Sequence, residues 1–175
     1  MNILALNGFM PSDRIDARID QYFDPEYCVA PFKRNWRPTD AQWVADSYVD
    51  RFDRQPCVIT GFSDGGTLAM EVAQQLPQCL GAMIHSGSFR RFYLRRLVIR
   101  PLPMLFLFTR GDITPTDRSM RLAARWFHRR GVPDVELQEC EKTTWHGHEY
   151  ANGLTAMANW FASRYNYALP LRVDD

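Results

Sequence analysis

Gly61-Phe62-Ser63-Asp64-Gly65 places a serine between two glycines at the spacing G-x-S-x-G. The apolar run Cys57-Val58-Ile59-Thr60 precedes it and a helix-compatible stretch follows from Gly66, so the spacing predicts a strand that turns abruptly into a helix. Such a turn holds the serine in a strained conformation with its hydroxyl exposed at the carboxyl end of a sheet. Side chains at the two flanking positions would collide with the neighbouring strand and helix, which is why both are glycine. A helix amino terminus behind the hydroxyl favours negative charge developing nearby. The chemistry this predicts is nucleophilic attack on an acyl group by Ser63; the bland alternative is a tight Gly-Ser turn with no chemistry.

A serine nucleophile needs a base and an acid to orient that base. Asp112 directly follows the apolar run Met104 to Phe108, in Thr109-Arg110-Gly111-Asp112, where a loop leaving the sheet's carboxyl edge brings a carboxylate beside the serine. Asp117 competes for the role but suits the amino-terminal cap of the next helix. Four histidines are available: His85, His128, His146 and His148. His128 lies inside a helical pattern and is expected at the surface. The segment Thr143-Thr144-Trp145-His146-Gly147-His148-Glu149 lies between the last strand and the last helix, the place of the base in a chain order of serine, acid, histidine. His148 is preferred because Gly147 gives the loop freedom to bring its ring over the serine. His146 is expected behind it as a supporting partner, and His85 at the pocket wall or packed as an ordinary core histidine. The two neighbouring histidines lack the carboxylate or cysteine pattern that completes a metal site, so neither metal nor cofactor is expected.

Acyl transfer also needs two backbone amides aimed at the developing oxyanion. One comes from the residue after the nucleophile, here Asp64. The loop after the first strand, Asn7-Gly8-Phe9-Met10-Pro11, is expected to supply the other through Phe9, with Met10 as the alternative and a neighbour of the pocket.

These loops require a scaffold, and short apolar runs alternating with longer amphipathic segments predict an α/β fold, a parallel sheet flanked by helices. Six strands are expected: Asn2 to Leu6, Tyr27 to Ala30, Cys57 to Thr60, Ala82 to His85, Met104 to Phe108, and Val135 to Glu139. The first five are almost continuously apolar, as strands buried on both faces must be; the sixth alternates and suits an edge. Helical periodicity joins Ile15, Ile19, Tyr22 and Phe23, then Ala41, Val44, Tyr48 and Phe52, then Leu68, Val72 and Leu76. Further helices are expected over Asp117 to Arg130, stopped by Gly131 and Pro133, and over Leu154 to Tyr165.

At 175 residues and 20.4 kDa with 46% apolar residues, the chain is expected to form a single domain over 1–175 with a sufficient core. Its 21 Lys and Arg nearly balance its 20 Asp and Glu, for a net charge of +1, so no overall field favours nucleic acid or an anionic membrane. Cys28, Cys57, Cys79 and Cys140 show neither metal-ligand spacing nor a secreted disulfide framework. Together with a start that runs straight into a core strand and the lack of any apolar run long enough to span a bilayer, they predict a cytoplasmic location.

With these pieces in place, the chain resembles the phospholipase/carboxylesterase branch of the α/β hydrolases, the group that includes acyl-protein thioesterases. The resemblance runs from Leu4 to Phe161. The elbow of that branch reads G-F-S-Q-G-G, matched by Gly61-Phe62-Ser63-Asp64-Gly65-Gly66 with Asp64 in place of Gln; its acid loop looks like Gly111-Asp112-Ile113-Thr114-Pro115, and its G-H-E is Gly147-His148-Glu149. The resemblance implies a minimal six-stranded, mainly parallel α/β-hydrolase sheet with helices on both faces, lacking the first two of the usual eight strands. It also supports His148 over His146 as base. Asn7-Gly8 stands where the family has His-Gly, and the acid loop is about one residue shorter.

Only Gly87 to Pro103 separates the fourth and fifth strands, which excludes a large cap and predicts an open site for short acyl esters or an ester presented on a larger molecule. That stretch interleaves Arg90, Arg91, Arg95, Arg96 and Arg100 with apolar residues, and is expected to be a half-buried helix with a solvated arginine face, or a seat for an anionic group or membrane surface. Three functions fit: a carboxylesterase, a thioesterase or lysophospholipase using the same residues, and a non-catalytic binding protein that keeps the fold.

Overall fold

The computed structural model describes residues 1–8, 19–29, 40–89, 94–114 and 116–172. Six strands, β1 (Asn2–Leu6), β2 (Cys28–Val29), β3 (Cys57–Phe62), β4 (Cys79–His85), β5 (Met104–Thr109) and β6 (Val135–Cys140), form one sheet in the order β2-β1-β3-β4-β5-β6. Every neighbouring pair is parallel. β3 and β5 are buried at every residue, the physical reason their sequences are unbroken apolar runs. β6, at one edge, is exposed over its four central residues.

Among the described residues four helices cover the sheet: α1 (Asp40–Phe52), α2 (Asp64–Gln75), α3 (Thr116–Arg129) and α4 (Leu154–Tyr165). Side chains of α1, α2 and α3 share one apolar cluster with alternate strand residues such as Leu4, Ile59 and Phe106. The other strand residues, among them Ile3, Val58 and Leu105, pack with Met157, Trp160 and Phe161 of α4. Burying Leu68 and Val72 of α2 contributes about 2 kcal/mol each relative to leaving them exposed.

The chain winds from β1 outward to β2, then crosses back to β3 and proceeds the other way. The crevice outside the carboxyl ends of β1 and β3 is therefore the topological switch point, where parallel α/β sheets place their sites. Ser63 directly follows β3 at that crevice, and Gly8 lies two residues past the end of β1 there.

Several elements differ from the sequence expectation. β4 begins three residues before Ala82, because Gly81 and the 41%-exposed Leu80 mask its start. Tyr27 lies outside β2, although its carbonyl accepts the Ile3 N–H at 2.7 Å, and Ala30 lies outside the described residues. The helix expected around Ile19, Tyr22 and Phe23 is, where described, a 3-10 turn over Ile19–Tyr22, with Phe23 in an antiparallel bridge to Leu171; Ile15 lies outside the described residues. Asp117 falls in the first turn of α3 instead of capping it, because the helix begins at Thr116. From Leu94 onward the chain leaves helical geometry within one turn, so the half-buried helix expected for the arginine-rich stretch does not extend through Arg95 to Arg100; Arg90 and Arg91 lie outside the described residues. All four cysteines are free. Among the described residues no helix is long and apolar enough to cross a membrane.

Candidate active site

Ser63 sits between β3 and α2 at φ 54° and ψ −122°, a left-handed-side conformation that L residues rarely adopt and that surrounding structure must enforce. The enforcement is steric. A Cβ on Gly65 would overlap the carbonyl oxygens of Leu6 and Asn7, and one on Gly61 would overlap the Gly65 carbonyl. Backbone thus passes backbone without side chains between, and the chain has no other way round the bend. Ser63 N–H donates to the His85 carbonyl at 3.0 Å, which ties the bend to β4. Asp64 is exposed and is the first residue of α2, where the N–H has no acceptor inside the helix and the dipole favours an anion. A Cβ on Gly8 would lie 3.2 Å from the Ser63 Cβ, so the segment leaving β1 passes directly over the bend. Asn7 holds that segment: its Oδ1 accepts the Ile19 N–H at 2.7 Å and its Nδ2 donates to Asp20 at 3.0 Å. Phe9 and Met10, the expected second oxyanion donors, lie outside the described residues.

On the opposite side of Ser63, hydrogen bonds dominate. His148 Nδ1 lies 2.8 Å from Asp112 Oδ2, and the Asp112 side chain is only 2% exposed. Thr114 donates to Asp112 Oδ1 through both its N–H and its hydroxyl, each at 2.7 Å, and the same hydroxyl oxygen lies 2.8 Å from His148 Nδ1. Thr116 and Ser86 hydroxyls donate to Asp112 Oδ2 at 3.0 and 3.3 Å. Burial alone would raise the Asp112 carboxyl, but the hydrogen bonds from His148 and Thr114 outweigh it and hold it below the ordinary carboxylate value. Donation of Nδ1–H to this carboxylate is the arrangement that leaves the Nε2 lone pair available.

The His148 ring stacks on Phe62, the residue before Ser63, at 4.7 Å between centroids and 37° between planes. Among the described residues Ser63 Oγ makes no hydrogen bond, to His148 or to any other group. His146 is held differently: its Nδ1 accepts the His148 N–H at 3.2 Å, its Nε2 faces Glu149 Oε1 at 3.2 Å, and its carbonyl accepts the Ile113 N–H at 2.9 Å. It therefore shapes the loop that carries His148. His85 is completely buried beside Phe62 and Tyr150, and neither ring nitrogen has a partner among the described residues. Burial, reinforced by nearby His148, lowers its pKa to about 3. His128 is exposed on α3.

Three contributors escaped the sequence reading. Thr114 bridges acid and base; its signal is the position two residues after an aspartate, the spacing of an Asx turn. Asn152 donates to the Gly147 carbonyl at 3.2 Å and to Thr109 Oγ1 at 3.4 Å, fastening the base loop to β5. Lys142 Nζ donates to the Gly111 carbonyl at 2.9 Å, joining the acid and base loops. Neither of the latter two has a local sequence signature. Gly147 adopts φ 67° with Lys142 and Thr109 carbons 3.3 Å from where its Cβ would be, a position that favours glycine on both counts.

The same sheet and helices recur in solved structures. SOBER1 from Arabidopsis thaliana is similar at a TM-score of 0.67 and 16% identity, over 94% of this chain and 99% of that one. The fold is the α/β-hydrolase fold. MGS-MChE2, an α/β hydrolase enzyme from the metagenome of sediments of the Mar Chica lagoon, Morocco, shares it at a TM-score of 0.63 and 15% identity, over 95% and 92% of the two chains. Zea mays acyl-protein thioesterase 2 shares it at 0.53 and 14%, over 81% and 71%. No protein-family model matches the chain, and comparison of its sequence with curated proteins finds no match. Within the α/β-hydrolase fold, the bend after β3 and the loops after β5 and β6 are the positions at which Ser63, Asp112 and His148 stand.

Proposed function

We propose that the chain is a single-domain serine hydrolase of the carboxylesterase type. The observation that carries this reading is the Asp112–His148 hydrogen bond, with the imidazole stacked on the residue preceding a strained serine. Ser63 Oγ attacks the ester carbonyl while its proton passes to His148 Nε2; the carbonyl electron pair becomes an oxyanion facing the Asp64 N–H. Collapse of this intermediate breaks the acyl–oxygen bond, the alcohol leaves with the proton from His148, and Ser63 remains acylated. Water then attacks with the same residues in the same roles, releasing the acid. Asp112 stays ionised and stabilises the imidazolium. A serine-to-histidine hydrogen bond is often unmade without substrate and tightens when substrate arrives.

The esterases and the thioesterase among the structural neighbours support hydrolysis as the reaction class. Four free cysteines support a reducing, cytoplasmic setting. A fluorophosphonate probe tests the reading: it should label the wild-type chain and leave Ser63→Ala unlabelled, and a folded wild-type chain that resists labelling would favour a non-catalytic binding protein. Oxygen and sulfur esters of one acyl chain, assayed side by side, separate carboxylesterase from thioesterase.

A further inference from the structure

The near-zero net charge conceals a division. Residues 87–131 hold 11 of the 21 Lys and Arg side chains but only Asp112 and Asp117 of the 20 acids, leaving that stretch at +9 and the remainder at −8. Part of this charge has internal work. Arg100 donates to the carbonyls of Ala73 and Pro77 at the end of α2, and Arg110 pairs with Glu139 at 2.8 Å. Along α3 and just past it, Arg121 lies over the Phe108 ring at 4.4 Å and Arg130 over Trp126 at 5.2 Å, while Arg118, Arg125 and Arg129 are exposed. Arg118, Arg121, Arg125, Arg129 and Arg130 have no carboxylate partner among the described residues, and their spacing sets the first four along one helical face. One shallow cleft is lined by Arg118, Arg121 and Arg125 with Asp117 as its one acid, and a second is bounded by Arg95, Arg125 and Arg129; the two share Leu122 and Arg125, so the arginines form one continuous surface. A helix of 14 residues carries it over about 20 Å.

A second observation comes from apolar groups in water. The most exposed large hydrophobic residues among those described are Trp145 at 81%, Val98 at 78% and Ile113 at 59%. Ile113 stands on the acid loop and Trp145 on the base loop, and the Ile113 N–H to His146 carbonyl bond fixes them on one rim of the candidate site. α3 starts from that acid loop, with Thr116 bonded to Asp112, so the arginine face begins where the apolar rim ends.

We propose that this rim and the arginine face of α3 form one docking surface for an anionic lipid bilayer. A bilayer interface accepts tryptophan and aliphatic side chains at the acyl boundary while its phosphates and carboxylates meet the arginines. Nucleic acid supplies phosphates but no apolar layer for Ile113. Docked this way, the uncapped site opens towards esters held in the membrane, a consequence that rests on the hydrolase reading; the docking itself does not.

The test is sedimentation of the full chain with vesicles of phosphatidylserine and phosphatidylcholine in about a one-to-two ratio, and with pure phosphatidylcholine. Each basic residue at such a surface strengthens partitioning about fivefold, so the exposed-site double variant Arg125→Glu/Arg129→Glu should lower it at least about 25-fold. Arg51→Glu/Arg54→Glu, in the last turn of α1 and just past it, should leave it unchanged, and Trp145→Ser should weaken it with no change in charge. Equal binding to neutral vesicles, no loss in the Arg125→Glu/Arg129→Glu variant, or binding of duplex DNA without binding of vesicles would overturn the proposal. Sedimentation reads binding without turnover. Failure of the hydrolase reading would instead appear as a wild-type chain inert towards a soluble short-chain ester, whatever its partitioning.

Discussion

The two sides of Ser63 are built by different forces. On the elbow side, Gly61 and Gly65 let backbone touch backbone, and the site's shape follows from excluded volume. On the base side, Asp112, Thr114, His146 and Asn152 form a web of hydrogen bonds across loops that leave different strands. The contrast teaches that the elbow half of the site is ruled by excluded volume, whereas the other half, apart from the tight turn at Gly147, is ruled by its donors and acceptors. Substitutions on the two sides should therefore fail in different ways.

The largest effect is expected from the steric side. Gly65→Ala forces a methyl group into the Leu6 and Asn7 carbonyls, and should cost on the order of 4 kcal/mol or prevent folding; denaturant unfolding measures it, and a stable Gly65→Ala chain would break the comparison. On the polar side, Asp112→Asn keeps the shape but removes the carboxylate that orients His148. It should lower kcat/KM for an ester by about 10⁴ in a chain that still folds. Thr114→Val, which deletes the hydroxyl shared by Asp112 and His148, should lower kcat about tenfold to a hundredfold with KM little changed.

A smaller effect, on stability alone, sharpens the contrast from below the site. The folded chain holds His85 neutral down to about pH 3, while an unfolded imidazole takes a proton near its ordinary value of about 6.5. The unfolded state therefore binds the extra proton, so this stabilisation is complete above about pH 6.5 and drains away as the pH falls towards 3. Asp112, held below its ordinary value, acts in the same direction, losing its contribution as the pH falls through the carboxylate range. His85→Met should flatten the acid limb of an unfolding midpoint measured against pH, most visibly between about pH 6 and 4.

The same division explains what could be read from sequence. Steric demands write themselves locally: two glycines around Ser63 and uninterrupted apolar runs in β3 and β5 announce the bend and the strands. Hydrogen-bond webs do not, because Thr114 meets His148 across 34 positions and Asn152 meets Thr109 across 43, with polar residues that would look equally at home in any loop. Where a strand surfaces, as at Leu80, the apolar signal fades and the boundary shifts. α3 starts at Thr116, one residue before the expected Asp117, and the Thr116 hydroxyl donates to Asp112 only four positions earlier. Net charge is silent for a related reason: a sum over the chain does not show the arginines that α3 gathers on one face.

The central claim is that Ser63 is the nucleophile. Mixing the chain with an activated ester and quenching before turnover, then weighing the intact protein and its peptides, tests it most directly. The account predicts a mass increase of one acyl group, mapped to Ser63 and absent from Ser63→Ala, with the adduct forming far more slowly in His148→Ala. Hydrolysis that persists in Ser63→Ala, or an adduct mapped to another residue, would contradict it.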